Sequence, residues 1–314
     1  MTDAEIRDAT NRVLESIAGR ESTDIRIPPS MVALIMITYV IVTAYYVASL
    51  YSRYEIIPPQ QMFTMAALFA IGAALVIAMM YTLTTRNTKH SKRESELRAS
   101  LIEYAELNNH ICGYDLTGQV EGMKNANETI LLEERMDSRP SVIPITIPVI
   151  ISLVLLCFAD LREHLIPIIA ACYVVALVIS VLFNPNLTRF PRQHDVRSKG
   201  FYEWFDSIAP YLGIEDCQYV TTIGYRSFWL FLFLSIITAG LFLVYWVYLM
   251  FRDMNRHFDM QWAYEDNIFR SLRKREKGIK LGIARRGKDY TLERMLETDD
   301  IFEDPVFEEE VQDS

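Results

Sequence analysis

Long stretches without a charged residue alternate with strongly polar ones along this chain, and that alternation predicts helices of two kinds. The run from Met31 to Tyr51 is uncharged over 21 residues and follows Pro28, Pro29 and Ser30. At about 1.5 Å per residue it crosses a bilayer core of roughly 30 Å. Tyr45, Tyr46, Tyr51 and Tyr54 gather at its far end, where amphipathic rings favour a membrane interface. A second span covers about Gln61 to Thr84, and its Ala66, Ala70, Ala74 and Ala78 form a smooth face on which another helix can approach closely. A third block, Ser141 to Ala159, contains Pro144 and Pro148, and a fourth, Leu165 to Phe183, follows after a connector of five residues. That spacing predicts a helical hairpin whose first arm is kinked. The last uncharged run, Ser227 to Phe251, has Thr238, Ala239 and Gly240 at its middle.

The expected fold is therefore all-α: a polytopic helical membrane protein with about five transmembrane segments, four to six, and amphipathic cytoplasmic helices between them. The divisions are a polar amino-terminal segment (1–29), a transmembrane hairpin (30–84), a cytoplasmic helical segment (85–140), a second hairpin (141–183), an amphipathic segment (184–226), an apolar block with a basic exit (227–270) and a charged tail (271–314). Lys and Arg near the span ends favour a cytoplasmic amino terminus. Five full crossings would then put the tail outside, although Arg252 to Arg294 holds 12 bases and seven acids. Length alone argues that Ser227 to Phe251 crosses completely. The break at its middle makes it the best candidate for a dip or hairpin.

A weak internal repeat follows three of the apolar blocks. Each ends in a basic patch with a histidine: Arg86 to His90, Arg189 to His194 and Arg252 to His257. Apolar residues stand seven and eleven positions after each histidine, at Leu97 and Leu101, Phe201 and Phe205, and Tyr264 and Ile268. A separation of four keeps each pair on one helix face. The richest stripe, with Phe201, Trp204, Phe205, Ile208, Tyr211 and Leu212, fits either a small cytoplasmic cap of packed helices or a helix lying at the headgroup boundary.

Charge changes the picture only at one end. The net charge of -9 is carried by residues 295–314, which hold nine carboxylates and no Lys or Arg. The first 29 residues hold six acids and four arginines without an apolar core, so a cleaved signal peptide is not expected. Cys112, Cys157, Cys172 and Cys217 are widely spaced and form no C-x-x-C pair.

Candidate chemistry is sparse. His90, His194 and His257 sit in basic flanks, where an imidazole beside lipid phosphates needs no further role. A metal there would require the three repeats to converge, and no ligand set is assigned. Neither a catalytic constellation nor a cofactor motif is found, so no enzyme, metal or cofactor is expected.

Around the last block, Thr238, Gly240, Tyr245, Trp246, Tyr248, Asp253, Asn255, His257 and Phe258 form the pattern T-x-G-x4-Y-W-x-Y-x4-D-x-N-x-H-F. It resembles the signature of a widespread prokaryotic integral-membrane domain family of unknown function. The resemblance implies a multi-pass protein of the cell membrane and brings no activity. On this basis Gly240 permits a close approach or a break, Trp246 anchors an interface, and Arg252, Asp253, Asn255 and His257 meet lipid and anionic headgroups.

Two functions remain open at this stage. One is a non-enzymatic scaffold or adaptor with cytoplasmic partner-binding segments, in which Phe302, Val306 and Phe307 of the acidic tail order on a protein partner. The alternative is a transporter or small channel for a neutral or apolar solute, suggested by Pro144, Pro148 and the Thr238 to Gly240 break. The expected partners are the lipid bilayer and, in a homo-oligomer, a second copy of the chain. Nucleic acid is not among them.

Overall fold

The computed structural model describes residues 3–53, 59–109, 114–137, 150, 154, 187–215, 218–238 and 241–286. The chain is all-helical among the described residues, with no strand. In chain order the helices are α1 (Asp3–Ala18), the single turn α2 (Arg20–Thr23), α3 (Pro29–Arg53), α4 (Pro59–Asn109), α5 (Thr117–Asp137), α6 (residues 187–208), α7 (Phe228–Ile237) and α8 (Leu241–Arg286). Most of the third and fourth apolar blocks, Pro144 and Pro148, Gly240, and the tail with Phe302, Val306 and Phe307 lie outside the described residues.

Two helices run through the boundaries drawn from the sequence. α4 is 51 residues long and joins the second apolar block to the polar segment after it without a break. α8 does the same over 46 residues. Nothing in either sequence stops the helix where hydropathy changes, because no Pro or Gly stands at Thr84 to His90 or at Phe251 to His257. A helix is a backbone state, and polarity decides only what surrounds it.

Among the described residues one helix, over Pro29–Leu50, is long and apolar enough to cross a membrane. It packs antiparallel to the first half of α4. Tyr39 donates to the carbonyl of Leu68 at 3.0 Å, and the Tyr46 hydroxyl bonds Gln61 Oε1 at 2.6 Å. The Tyr39 ring lies so close to Gly72 that a Cβ there would overlap its hydroxyl, which favours glycine at this position. Leu34 and Ile41 on the far side are exposed.

The last apolar block does not cross as one helix. α7 ends at Thr238, whose hydroxyl accepts from the amide of Phe242 at 2.9 Å and so caps the start of α8. The chain then doubles back. Phe228 and Trp246 bring their ring centroids to 5.4 Å although 18 residues separate them, where a continuous helix would hold them about 27 Å apart. The full fifth crossing is thereby replaced by a short hairpin.

The stripes after the three histidines meet in one core. Leu97, Leu101, Phe201, Phe205, Tyr264 and Ile268 are all buried in the same cluster. With the three histidines also in ring contact one level earlier, α4, α6 and α8 run parallel and in register, and Tyr202 meets Tyr264 at 4.8 Å. A headgroup-bound position for the α6 stripe is overturned, since Phe201, Phe205, Ile208 and Leu212 are inside and only Trp204 and Tyr211 face out. The amino-terminal segment belongs to this core as well. Ile6, Ala9, Val13 and Ile17 follow helical spacing, and α1 presses Ala9, Val13 and Ile17 into the cluster.

Candidate metal centre

His90 on α4, His194 on α6 and His257 on α8 are fully buried, with ring centroids 5.0 to 5.1 Å apart. The matched register that joins the apolar stripes also places these rings on one level, because each histidine stands the same distance before its stripe. Glu94 lies four residues after His90, on the same helix face, and is equally buried.

Each imidazole is held from behind by its own carboxylate. His90 Nδ1 lies 2.8 Å from Asp24 Oδ1, His194 Nδ1 2.7 Å from Glu134 Oε1 and His257 Nδ1 3.1 Å from Asp195 Oδ1. Burial by itself raises the pKa of all three carboxylates, but the contacts with the histidines outweigh it and hold each below its ordinary range. They are therefore ionised acceptors, and each Nδ1 must carry the proton. A neutral ring then has its lone pair on Nε2, and the three Nε2 atoms point towards a common centre.

The distances at that centre fit ligands better than hydrogen bonds. His90 Nε2 and His257 Nε2 face each other at 3.1 Å, an unfavourable contact between two lone pairs. His194 Nε2 lies 2.6 Å from Glu94 Oε2, yet neither atom has a partner in hydrogen-bond geometry. One ligand atom from each of His90, Glu94, His194 and His257 falls within 4.8 Å of the other three. A tetrahedral ion with bonds of about 2.0 to 2.1 Å holds its ligands about 3.3 Å apart, within the range of 2.6 to 4.8 Å spanned by this set.

Charge supports the same conclusion. Six buried carboxylates (Asp24, Glu94, Glu134, Asp195, Asp253 and Glu265) share the interior with three buried arginines (Arg86, Arg93 and Arg98), and Asp253 is paired with the half-buried Arg226. With neutral imidazoles, and with Arg226 set against Asp253 and Arg20 3.9 Å from Glu265, an excess of negative charge still remains, which a cation would neutralise. Without one, protons must do so. Burial lowers the pKa of His194, but Glu94 and Glu134 more than reverse this and push it up to about 9. Burial pushes Glu265 up to about 7 against the opposing effect of Arg93. His90 is pushed down to about 4 by burial, despite Asp24.

The outer partners are themselves anchored. Asp24 accepts from Arg93 Nη2 at 3.0 Å and from Trp262 Nε1 at 2.9 Å. Asp195 accepts from the Tyr219 hydroxyl at 3.1 Å and the Thr222 amide at 2.9 Å. Gly213, at φ 75°, ends the 3-10 turn Ala209–Leu212 after α6 and reverses the chain so that Tyr219 can return to Asp195.

Several residues assigned to the lipid interface are elsewhere. His257 and Asp253 are inside the cap, and Asp253 pairs with Arg226 at 3.0 Å. Trp246 is buried against Phe228 and Phe231, its indole donating to Thr188 Oγ1 at 3.1 Å. Asn255 donates to the carbonyl of Ile27 and accepts from Arg86. Arg252 is partly exposed and reaches Asp253 at 3.3 Å. Headgroup contact by His257 gives way to burial because its face of α8 is covered by α4 and α6. Glu94 was missed although H-x3-E is a visible ligand spacing. Asp24, Glu134 and Asp195 had no such signal, being drawn from α6 and from segments not tied to the repeat.

A family model described as a domain of unknown function (DUF4234) matches residues 226–264. The match covers the hairpin of α7 with the start of α8 and includes His257 but neither His90 nor His194. No curated protein and no solved structure matches the chain.

Proposed function

We propose that this is a membrane-anchored protein whose helical cap binds one divalent transition-metal ion through His90, Glu94, His194 and His257. The observation that carries it is the convergence of three Nε2 atoms and a carboxylate, each ring oriented by a separate ionised acid. Three imidazoles and a carboxylate suit zinc first among the common ions. The adaptor and solute-passage alternatives draw on Phe302, Val306, Phe307, Pro144 and Pro148, outside the described residues, and on the break after Thr238, where the chain turns under a helix cap; the metal site rests on a described cluster and is preferred.

In this proposal α3 and the first half of α4 cross the bilayer and α7 with the start of α8 dips in and returns, while the uncharged blocks at 141–159 and 165–183, outside the described residues, keep the two crossings expected from their sequence. Four crossings put both termini on the cytoplasmic side with the cap, which removes the conflict with the basic residues after Arg252. Cysteines introduced at Thr2 and Ser314 should then react with an impermeant reagent from the same side.

The deciding experiment is elemental analysis of the full chain purified in detergent. About one equivalent of metal is expected, and the variant His90→Ala with His257→Ala should lose it while remaining folded by circular dichroism. A wild-type protein that takes up no metal, or a double variant that keeps it, would overturn the proposal.

A further inference from the structure

The register that aligns the histidines aligns two further layers. Four residues after each histidine stand Glu94, Ser198 and Gln261, and eight after stand Arg98, Tyr202 and Glu265. All six are completely buried and continue the faces that carry the rings. Glu94 reaches the centre itself. Ser198 and Gln261 occupy the equivalent places on the other two helices, and Ser198 Oγ and Gln261 Oε1 have no hydrogen-bond partner within the protein.

The next layer has the same deficit. The Tyr202 hydroxyl, Glu265 Oε2 and both terminal nitrogens of Arg98 lack partners in hydrogen-bond geometry, although Arg98 Nη1 lies 3.0 Å from Glu94 Oε1. Buried polar atoms are nearly always satisfied, so the unpartnered ones in these two layers mark a place for small hydrogen-bonding molecules, although Arg86 and Asn87 before His90 also carry unpartnered atoms. Donors and acceptors are mixed here, and the charge of Arg98 is set against Glu94 and Glu265, leaving the cation itself to attract an anion. The complement is water or a small anion.

Resting on the metal site proposed above, we propose that the ion keeps an exchangeable position on this side, occupied by water and open to small anions, with Ser198, Gln261 and Tyr202 holding the bound group. The centre is then a ligand-binding one and not a closed structural clamp. Three imidazoles and Glu94 fill the four tetrahedral positions, so an entering group adds a fifth ligand on the side of the polar layer.

The test uses the full chain in detergent, stripped with a chelator and loaded with cobalt(II), with azide as the probe and visible absorption as the readout. A saturable azide-dependent change is expected from protein holding one cobalt. Tyr202→Phe and Gln261→Leu should each retain that cobalt and weaken azide about three- to tenfold, the loss of a single hydrogen bond. If the Tyr202 hydroxyl is only an uncompensated buried group, Tyr202→Phe will raise the melting temperature and leave azide affinity unchanged. That result, or one bound cobalt with no response to azide, overturns this inference and leaves the metal site standing. No cobalt binding at all overturns the metal site and the inference with it.

Discussion

The same three helices build two unlike layers within about three turns of each other. Seven and eleven residues past the histidines, α4, α6 and α8 meet through Leu97, Leu101, Phe201, Phe205, Tyr264 and Ile268, with α1 packed alongside. At the histidines they meet through rings, carboxylates and arginines that are equally buried. The apolar layer gains free energy simply by leaving water. The polar layer is costly to bury and is compensated only by pairing, most completely by a cation. One layer therefore specifies which helices associate, and the other specifies what they associate around.

The comparison breaks most sharply at the ligands. Substituting His257 by Ala should reduce metal affinity by more than the roughly 10- to 100-fold typical of losing an outer partner, while the apolar layer keeps the helices folded. Titration against a competing chelator measures this, and unchanged affinity would remove His257 from the ligand set. Substituting Phe205 by Ala should do the reverse. It costs about 3–5 kcal/mol of stability in chemical denaturation yet leaves one bound metal in the protein that remains folded. Simultaneous loss of both would show that the layers are not separable.

Weakening the outer shell sharpens the contrast. Asp195→Asn removes the ionised acceptor behind His257 and should lower metal affinity about 10- to 100-fold with little change in helix content. Equal affinity for variant and wild type would count against the orienting role of Asp195. The pH dependence is smaller and has a fixed sign. In metal-free protein His194 stays protonated up to about 9, whereas an unfolded histidine titrates near about 6.5. The folded state then holds the extra proton, so this contribution is complete below about 6.5 and is lost as pH rises through about 9. Glu265, raised to about 7, acts in the same direction at lower pH. Melting temperatures of chelated protein should fall between these values more than those of the metal-loaded form, and a flat or rising profile would refute the assignment. The smallest effect is expected at the hairpin far from both layers. Thr238→Val removes the cap of α8 and should cost about 1 kcal/mol without altering metal content.

Much of the helix content and all of the repeat were visible in the chain. The spacing from His90 to Leu97 and Leu101 recurs after His194 and His257, and periodicity is a local property. The meaning of the basic patches was not visible. Arg86, beside His90, reads like a headgroup contact, yet it is buried with Asn255 and over the ring of Phe251. Arg93 likewise turns inward to Asp24 and Glu265. A flank rich in arginine looks the same whether its partner is a phosphate or a carboxylate 69 residues away.

By itself the sequence determined that the chain is helical, that its apolar blocks are separated by polar helices, and that three of those helices carry one pattern in one register. Period and hydropathy follow from neighbouring residues alone. Tertiary structure decided that the three patterns face one another, that the last apolar block doubles back at Thr238, and that Asp24, Glu134 and Asp195 stand behind the rings. Those outcomes depend on residues up to 167 positions apart meeting in a dry interior, where an unpaired charge is costly and a paired one is held in place.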